Sequence, residues 1–97
     1  MIPNFEWDLG KARENERKHG ITFEEAATAF ADWDAVIYDD VDHSDREGRF
    51  IIIGISARER MLLTVYAIRE EETVRIISSR PANRDEKLRY EEENRGF

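Results

Sequence analysis

Two short motifs in this chain carry the residue types that chemistry on a phosphodiester requires. Lys18 and His19 stand directly before Gly20, and an apolar run near the other end closes with Arg80. A guanidinium group holds phosphate oxygens through a fixed fork of N–H donors, and a histidine can transfer a proton near neutral pH. These motifs make RNA a candidate ligand from the sequence alone.

The charge of the chain sets a condition on that hypothesis. The net charge is -7 over 97 residues, whereas nucleic-acid binding normally requires a basic surface. Twelve of the fifteen basic residues are nevertheless arginine, the side chain that forms bidentate pairs with phosphate. RNA binding therefore requires the arginines to gather on one face, with the acidic runs placed elsewhere as solvated turns and helix faces.

Length and composition favour one folded domain, residues 1–97, in the cytoplasm. A chain of 97 residues has room for a single core. It has no cysteine, which excludes disulfides and thiolate metal sites. The first residues lack a basic region followed by an apolar stretch, and the longest apolar run, Phe50 to Ile53, is too short to cross a bilayer. We therefore expect neither export nor membrane contact.

Capping residues delimit two helices in the first part of the chain. After a short strand, Ile2 to Trp7, Asp8 stands at an N-cap position and Gly20 at a C-cap position. Leu9 to His19 is therefore predicted to be a helix. Thr22 begins a capping box for a second helix.

The second half of the chain is predicted to be rich in strands. Ala35 to Tyr38 is a short strand, and Asp39 to Gly48 is a polar loop. Three β-rich segments joined by short turns follow: Arg49 to Ala57, Met61 to Arg69 and Thr73 to Arg80. This spacing predicts an antiparallel meander. Asn83 can cap a last helix from Arg84 to about Asn94. The fold class is predicted to be α+β: an antiparallel sheet (meander) with two N-terminal helices and one C-terminal helix.

The turns also assign residues to the two faces of the meander. If Ser56 pairs with Met61 and Arg69 pairs with Thr73, side-chain alternation defines a core face beneath the helices. That face is expected to comprise Phe50, Ile52, Met61, Leu63, Val65, Ala67 and Ile77. The opposite face is expected to comprise Arg49, Ile51, Ile53, Thr64, Tyr66, Ser78 and Arg80. Both tryptophans, Trp7 and Trp33, are expected in the core.

Each candidate functional residue also has a structural interpretation. Lys18 and His19 lie in the last turn of a helix, where the helix dipole favours cations; alternatively, His19 acts as an acid or base. Arg80 caps the sheet edge or pairs with Glu86, or it stabilises a phosphorane-like transition state. Tyr90 packs against the core, or it stacks on a base of single-stranded RNA.

Many short fragments, taken in their order and spacing, resemble the BrnT family of bacterial type II toxins. They are Phe5-Glu6-Trp7-Asp8, Lys11-Ala12, Asn15, Lys18-His19-Gly20-Ile21-Thr22-Phe23-Glu24-Glu25-Ala26, Phe30, Asp32, His43-Ser44, Glu47, Arg49, Ile53-Gly54, Leu62-Leu63, Val65, Arg69, Arg75-Ile76-Ile77-Ser78, Arg80, Ala82, Glu86 and Tyr90. The resemblance covers nearly all of the chain, and it lies in the combination because no single fragment is specific.

The resemblance implies a RelE-like fold and a small ribonuclease whose cleavage of RNA inhibits translation. It also implies a cognate antitoxin of the BrnA type with a ribbon-helix-helix DNA-binding part, so that the toxin reaches DNA only indirectly. Carried over to this sequence, the expected catalytic residues are His19, Glu47 and Arg80, and the expected RNA-binding residues are Lys18, Arg49 and Arg69, to which base stacking adds Tyr90. In this scheme Arg49 and Arg80 hold phosphate, and His19 or Glu47 transfers a proton. No metal and no cofactor are expected.

A second hypothesis belongs to another functional class. The chain would then be a non-catalytic binding module whose arginine-rich face docks an acidic segment of a partner. Incubation with total RNA separates the two hypotheses, because only the first predicts cleavage that depends on Arg80 and His19.

Overall fold

The computed structural model describes residues 3–42, 48–70 and 72–95. In these residues five strands and three α-helices follow in the order β1-α1-α2-β2-β3-β4-β5-α3. Their bounds are β1 Asn4–Glu6, α1 Leu9–His19, α2 Phe23–Thr28, β2 Val36–Asp39, β3 Arg49–Ile55, β4 Met61–Arg69, β5 Thr73–Pro81 and α3 Arg84–Glu93, with a 3₁₀ turn, Ala29–Ala31, directly after α2. The order of elements agrees with the prediction.

The first two helices begin at the residues that the sequence marks as caps. The Asp8 carboxylate accepts a hydrogen bond from the Lys11 backbone N–H at 2.8 Å, and the Thr22 hydroxyl accepts one from the Glu25 backbone N–H at 3.0 Å. Such bonds satisfy N–H groups that have no partner within the helix. Gly20 ends α1 at a φ of 71°, a left-handed conformation that glycine adopts without steric cost.

The sheet is mixed, which corrects the expectation of a purely antiparallel sheet. Strands β2 to β5 form the predicted meander, but β1 lies parallel to β5, with Phe5 opposite Val74. The strand order is β1-β5-β4-β3-β2. Short turns reveal only pairings between neighbours in sequence, whereas the partner of β1 comes from the other end of the chain. The helices between β1 and β2 carry the chain from one edge of the sheet to the other.

The register of the meander differs from the predicted one by one residue in its first hairpin. Ile55, not Ser56, lies opposite Met61, whereas Arg69 lies opposite Thr73 as predicted. In the second hairpin Val65 pairs with Ser78 and Tyr66 pairs with Ile76, so Ile77 has no paired residue on β4 and the register shifts there. A shift of one residue moves side chains to the other face. The predicted face assignment is therefore only partly correct.

Two apolar clusters lie on opposite faces of the sheet. The first packs against α1 and α2 and contains Phe23, Ala26, Ile52, Tyr66, Val74 and Ile76. The second contains Val36, Ile53, Leu63 and Tyr90, with Ile51, Met61 and Val65 at its margin. Leu63, Val65 and Met61 thus leave the face on which they were expected, and Thr64 and Tyr66 replace them. The C-terminal helix packs through Tyr90 on the face opposite the first two helices.

The two tryptophans have different environments. Trp7 is half-buried, and its ring meets Phe23 edge to face at 5.9 Å, as expected of a core residue. Trp33 is 99% exposed, so its expected core position is wrong. It lies in a turn before β2, where no neighbouring element covers it among the described residues. Within the same described part of the chain, no helix is long and apolar enough to span a membrane.

Candidate functional site

The face of the sheet that carries the second apolar cluster also carries arginines. Directly opposed residues of neighbouring strands point to the same face, and three successive rows lie there: Arg49, Ala67 and Arg75; Ile51, Val65 and Ser78; and Ile53, Leu63 and Arg80. We call this surface the arginine face. Of the residues expected on this face, Arg49, Ile51, Ile53, Ser78 and Arg80 lie on it, whereas Thr64 and Tyr66 lie on the opposite face.

A cleft of about 430 Å³ opens at one end of the arginine face. His19 and Arg80 both line it, although they come from the end of α1 and the end of β5. Ile51, Val65 and Ser78 contribute to its lining from the middle row of the sheet, and Tyr38 and Glu86 from β2 and α3. We call this site the His19–Arg80 cleft. It brings together an imidazole and a guanidinium, which the sequence could only name separately.

Arg80 is held in the cleft by a bidentate pair with Glu86. Its two terminal nitrogens donate to the two Glu86 carboxylate oxygens at 2.8 and 2.7 Å, and one of them also donates to the Pro81 carbonyl at 3.2 Å. The hydrogen bond to Glu86 raises the pKa of Arg80, and the same bond lowers the pKa of Glu86. A guanidinium has five N–H donors, so the pair leaves others that can donate to a phosphate oxygen.

The Asn15 side chain ties α1 to β5 beside the cleft. Its Nδ2 donates to the carbonyl oxygens of Ser79 at 2.8 Å and Ile21 at 2.9 Å, and its Oδ1 accepts from the Ser79 backbone N–H at 3.0 Å. Asn15 is only 6% exposed. Asn15 lies one helical turn before His19, and Ser79 directly precedes Arg80. These bonds therefore fix the position of the end of α1, which carries His19, relative to the end of β5, which carries Arg80.

Tyr38 lines the cleft and Arg89 packs against its ring, and the sequence analysis identified neither residue. The Arg89 guanidinium lies 3.8 Å from the centroid of the Tyr38 ring, which is a cation–π contact. Burial raises the pKa of the Tyr38 hydroxyl above its ordinary value. The available signal was the aromatic residue on β2, but its position became informative only once the strand register was known.

The other predicted site residues have separate positions. Lys18 is exposed beside His19, with its Nζ 3.9 Å from the Glu14 carboxylate. Arg49 is half-buried on the arginine face, and Arg69 is exposed at the far end of β4. Glu47 lies outside the described residues, as do His43 and Ser44 of the resemblance.

Tyr90 has a packing position in the second apolar cluster. Its ring is buried there, and its hydroxyl donates to the Asp32 carboxylate at 2.8 Å. The same carboxylate accepts from the Ile55 backbone N–H at 2.8 Å. The ring therefore joins α3 to the turn before β2, and a base cannot stack on it in this arrangement.

Arg60 and Arg75 form ion pairs away from the cleft. Arg60 donates through Nε to Glu25 at 2.9 Å and also contacts that carboxylate through a terminal nitrogen. Arg75 lies 3.1 Å from the Glu6 carboxylate. The Glu25 carboxylate accepts hydrogen bonds from Arg60 and from the Ser56 hydroxyl. Of the predicted capping box, only the bond from the Glu25 backbone N–H to the Thr22 hydroxyl therefore forms.

Comparisons with known proteins identify the family of this chain. The chain is similar to the 1.1 Å crystal structure of the Brucella abortus ribonuclease toxin BrnT, with a TM-score of 0.68 and 22% sequence identity over 84% of this chain and 99% of that chain. Residues 7–86 match the family described as the ribonuclease toxin, BrnT, of type II toxin-antitoxin systems. No curated protein matches the chain. The chain therefore belongs to the BrnT family of type II toxins, and a protein antitoxin is its partner.

Proposed function

We propose that this chain is a metal-independent endoribonuclease that inhibits translation by cleaving RNA in the His19–Arg80 cleft. The observation that carries the proposal is the presence of His19 and Arg80 in one cleft on the arginine face of a BrnT-family chain. Neither group is informative alone, since a helix-terminal histidine and a strand-terminal arginine are common. Together they supply proton transfer and charge stabilisation within one concave site.

The proposed reaction is an attack by the ribose 2′-OH on the adjacent phosphate. His19 accepts the 2′-OH proton as the new O2′–P bond forms, and Arg80 donates hydrogen bonds to the phosphate oxygens as negative charge develops there. The P–O5′ bond breaks, and the O5′ leaving group takes up a proton from a solvent water molecule. Glu47, outside the described residues, is the second candidate for one of these two proton transfers.

The rest of the arginine face supports binding of an RNA strand. Arg80 and Arg75 are five residues apart on β5, which is about 16 Å at 3.3 Å per residue. A strand of RNA can follow this distance, with Arg49 in the same row as Arg75 and Lys18 beside His19 as further phosphate contacts. Arg89 covers one face of the Tyr38 ring, so a base can stack only on the other face. Arg69, at the far end of β4, would contact a longer strand.

The partner relations complete the proposal. The antitoxin neutralises the toxin, and a ribbon-helix-helix part of the antitoxin binds DNA, so that this chain contacts DNA only through it. Both proteins act in the cytoplasm, where the RNA substrate is found. The family membership supports this scheme.

Cleavage of total RNA by the purified protein tests the proposal. We expect His19→Ala and Arg80→Ala each to lower the cleavage rate about 100-fold or more, with unchanged circular dichroism, and we expect EDTA to have no effect. Arg13→Ala, which removes one exposed arginine from the other side of α1, is the matched control and should cleave at the wild-type rate. An intact RNA pool with the wild-type chain would instead support the non-catalytic binding module.

A further inference from the structure

A second surface, separate from the His19–Arg80 cleft, exposes large apolar side chains at the outer edge of β2. Trp33 is 99% exposed and Ile37 is 56% exposed. They lie beside a cleft of about 500 Å³ whose other apolar lining includes Phe30, Ala35 and Ile52. We call this site the Trp33 groove. A fully exposed tryptophan beside an apolar cleft is typical of a surface that binds another protein.

The backbone beside the groove can accept another strand. β2 is the last strand of the sheet, and no described residue pairs with its outer edge. The Asp40 backbone N–H donates to the Arg49 carbonyl at 3.0 Å, so alternation along the antiparallel ladder turns the backbone groups of Ile37 and Asp39 away from β3. An edge of this kind is a template for addition of an extended segment, whose side chains then enter the neighbouring cleft.

The charge around the groove indicates the chemistry of its ligand. The sequence from Gly20 to Asp42 contains no lysine and no arginine, and its Asp32 lines the groove. Asp34 and Asp39 are exposed next to Trp33 and Ile37. This negative potential repels the phosphates of RNA and attracts a basic segment of a protein.

We propose that the Trp33 groove and the outer edge of β2 dock the antitoxin. The docked part is an extended segment with an apolar side chain for the groove and lysine or arginine residues beside it, and it adds to the sheet as a further strand. Membership of the type II toxin family provides a protein partner, and the acidic surface selects its basic segment. The proposal does not depend on how, or whether, the cleft cleaves RNA.

The position of the groove also accounts for neutralisation. Tyr38 lies on β2 and lines the His19–Arg80 cleft, so a segment bound along β2 lies at the rim of that cleft. An antitoxin anchored there covers His19 and Arg80 if its chain continues from β2 across the rim of the cleft. Docking and inhibition therefore involve neighbouring but separate residues.

Binding of the purified antitoxin, the small protein encoded beside the toxin gene, tests this docking surface. Trp33→Ala should weaken binding by about 30-fold or more, as expected of a central interface tryptophan. Asp34→Lys should also weaken binding and should reduce its dependence on salt. Leu9→Ala removes another exposed apolar side chain, 67% exposed on α1, and should bind as the wild type does. Equal affinities for Trp33→Ala, Leu9→Ala and the wild type would overturn the proposal.

Hydrogen exchange provides a readout of strand addition. The backbone amides of Ile37 and Asp39 should exchange more slowly in the complex, and Trp33 fluorescence should shift to the blue in a Trp7→Phe background. Unchanged exchange of both amides would show that β2 accepts no strand and that its acidic edge serves only to prevent aggregation. Trp33→Ala without antitoxin should cleave RNA as the wild type does, so failure of the docking proposal and failure of the ribonuclease proposal give different results.

Discussion

At the scale of single residues, the pairing of Arg80 with Glu86 determines how the cleft presents its charge. Glu86 is fixed twice, because its carboxylate also accepts the Asn83 backbone N–H at 2.8 Å at the start of α3. The pair orients the guanidinium, but it also places a negative charge beside the position proposed for a phosphate. Orientation favours RNA binding, whereas the charge opposes it.

Glu86→Gln separates these two effects. The amide keeps an acceptor for Arg80 and for the cap while it removes the negative charge, so we expect affinity for a cleavage-resistant 2′-O-methyl oligonucleotide to rise about five- to tenfold at low salt. Fluorescence anisotropy measures this change, and the gain should decline as salt is added. Glu91→Gln, exposed on the same helix, is the control and should bind as the wild type does. Weaker binding by Glu86→Gln would mean that orientation outweighs charge.

At the scale of secondary-structure elements, the cleft depends on the contact between α1 and β5. The elements that supply His19 and Arg80 are far apart in sequence, and the buried Asn15 side chain joins them through three hydrogen bonds. The hydroxyls of Ser79 and Thr64 continue this polar contact into the sheet, 2.9 Å apart. A buried network in which each group has a partner holds its elements in one arrangement.

Asn15→Ala should therefore weaken both the fold and the site. We expect the free energy of unfolding to fall by about 1–3 kcal/mol, because buried backbone groups of Ser79 and Ile21 lose their partners. At a temperature where the variant remains folded, kcat for RNA cleavage should fall while KM stays close to the wild-type value, since His19 is displaced from Arg80. Urea unfolding and steady-state kinetics measure the two effects, with the exposed neighbour Glu16→Ala as control. An unchanged kcat would show that Asn15 stabilises the fold without positioning His19.

At the scale of the whole molecule, ion pairs connect the helices to the sheet. Arg60 at the start of β4 holds Glu25 of α2, and hydrogen bonding to Arg60 lowers the pKa of Glu25 below its ordinary value of 4.5. Arg80 lowers the pKa of Glu86 in the same way. The pKa of Asp32 is also lowered: burial acts to raise it, but bonds from Ile55, Asp34 and Tyr90 outweigh the burial. Each carboxylate is thus more acidic in the folded chain than in the unfolded chain.

These shifts predict a loss of stability in acid. A lowered carboxyl pKa contributes stability that is fully present above the ordinary value of about 4.5 and is lost as the pH falls through the lowered value in the folded chain. Urea midpoints measured between pH 7 and pH 3 should therefore decrease below about pH 4.5. Glu25→Gln should be less stable than the wild type at pH 7 and should show a flatter decrease, whereas the exposed neighbour Glu24→Gln should follow the wild type. Parallel curves for Glu25→Gln and the wild type would contradict the proposed contribution of this carboxylate.

The sequence by itself determined the features that depend on neighbouring residues. Asp8, Gly20 and Thr22 set helix ends through bonds that span a few positions, and the turn between Arg69 and Thr73 set a hairpin. The candidates His19 and Arg80 were also identifiable, because their chemistry follows from residue type. Strand alternation predicted that Arg49 and Arg80 share a face, and the observed pairings confirm it.

Only the tertiary structure decided the features that depend on distant partners or on one residue of register. The pairing of β1 with β5, the shift at Ile77 and the exposure of Trp33 have no local signal, since each depends on which segment of the chain packs alongside. Side-chain direction in a strand alternates with every residue, so the shift between Ser56 and Ile55 moved Leu63 and Val65 to the other face. The cleft that joins His19 to Arg80 exists because long-range contacts bring α1 to the end of β5, which residue types and spacing along the chain do not encode.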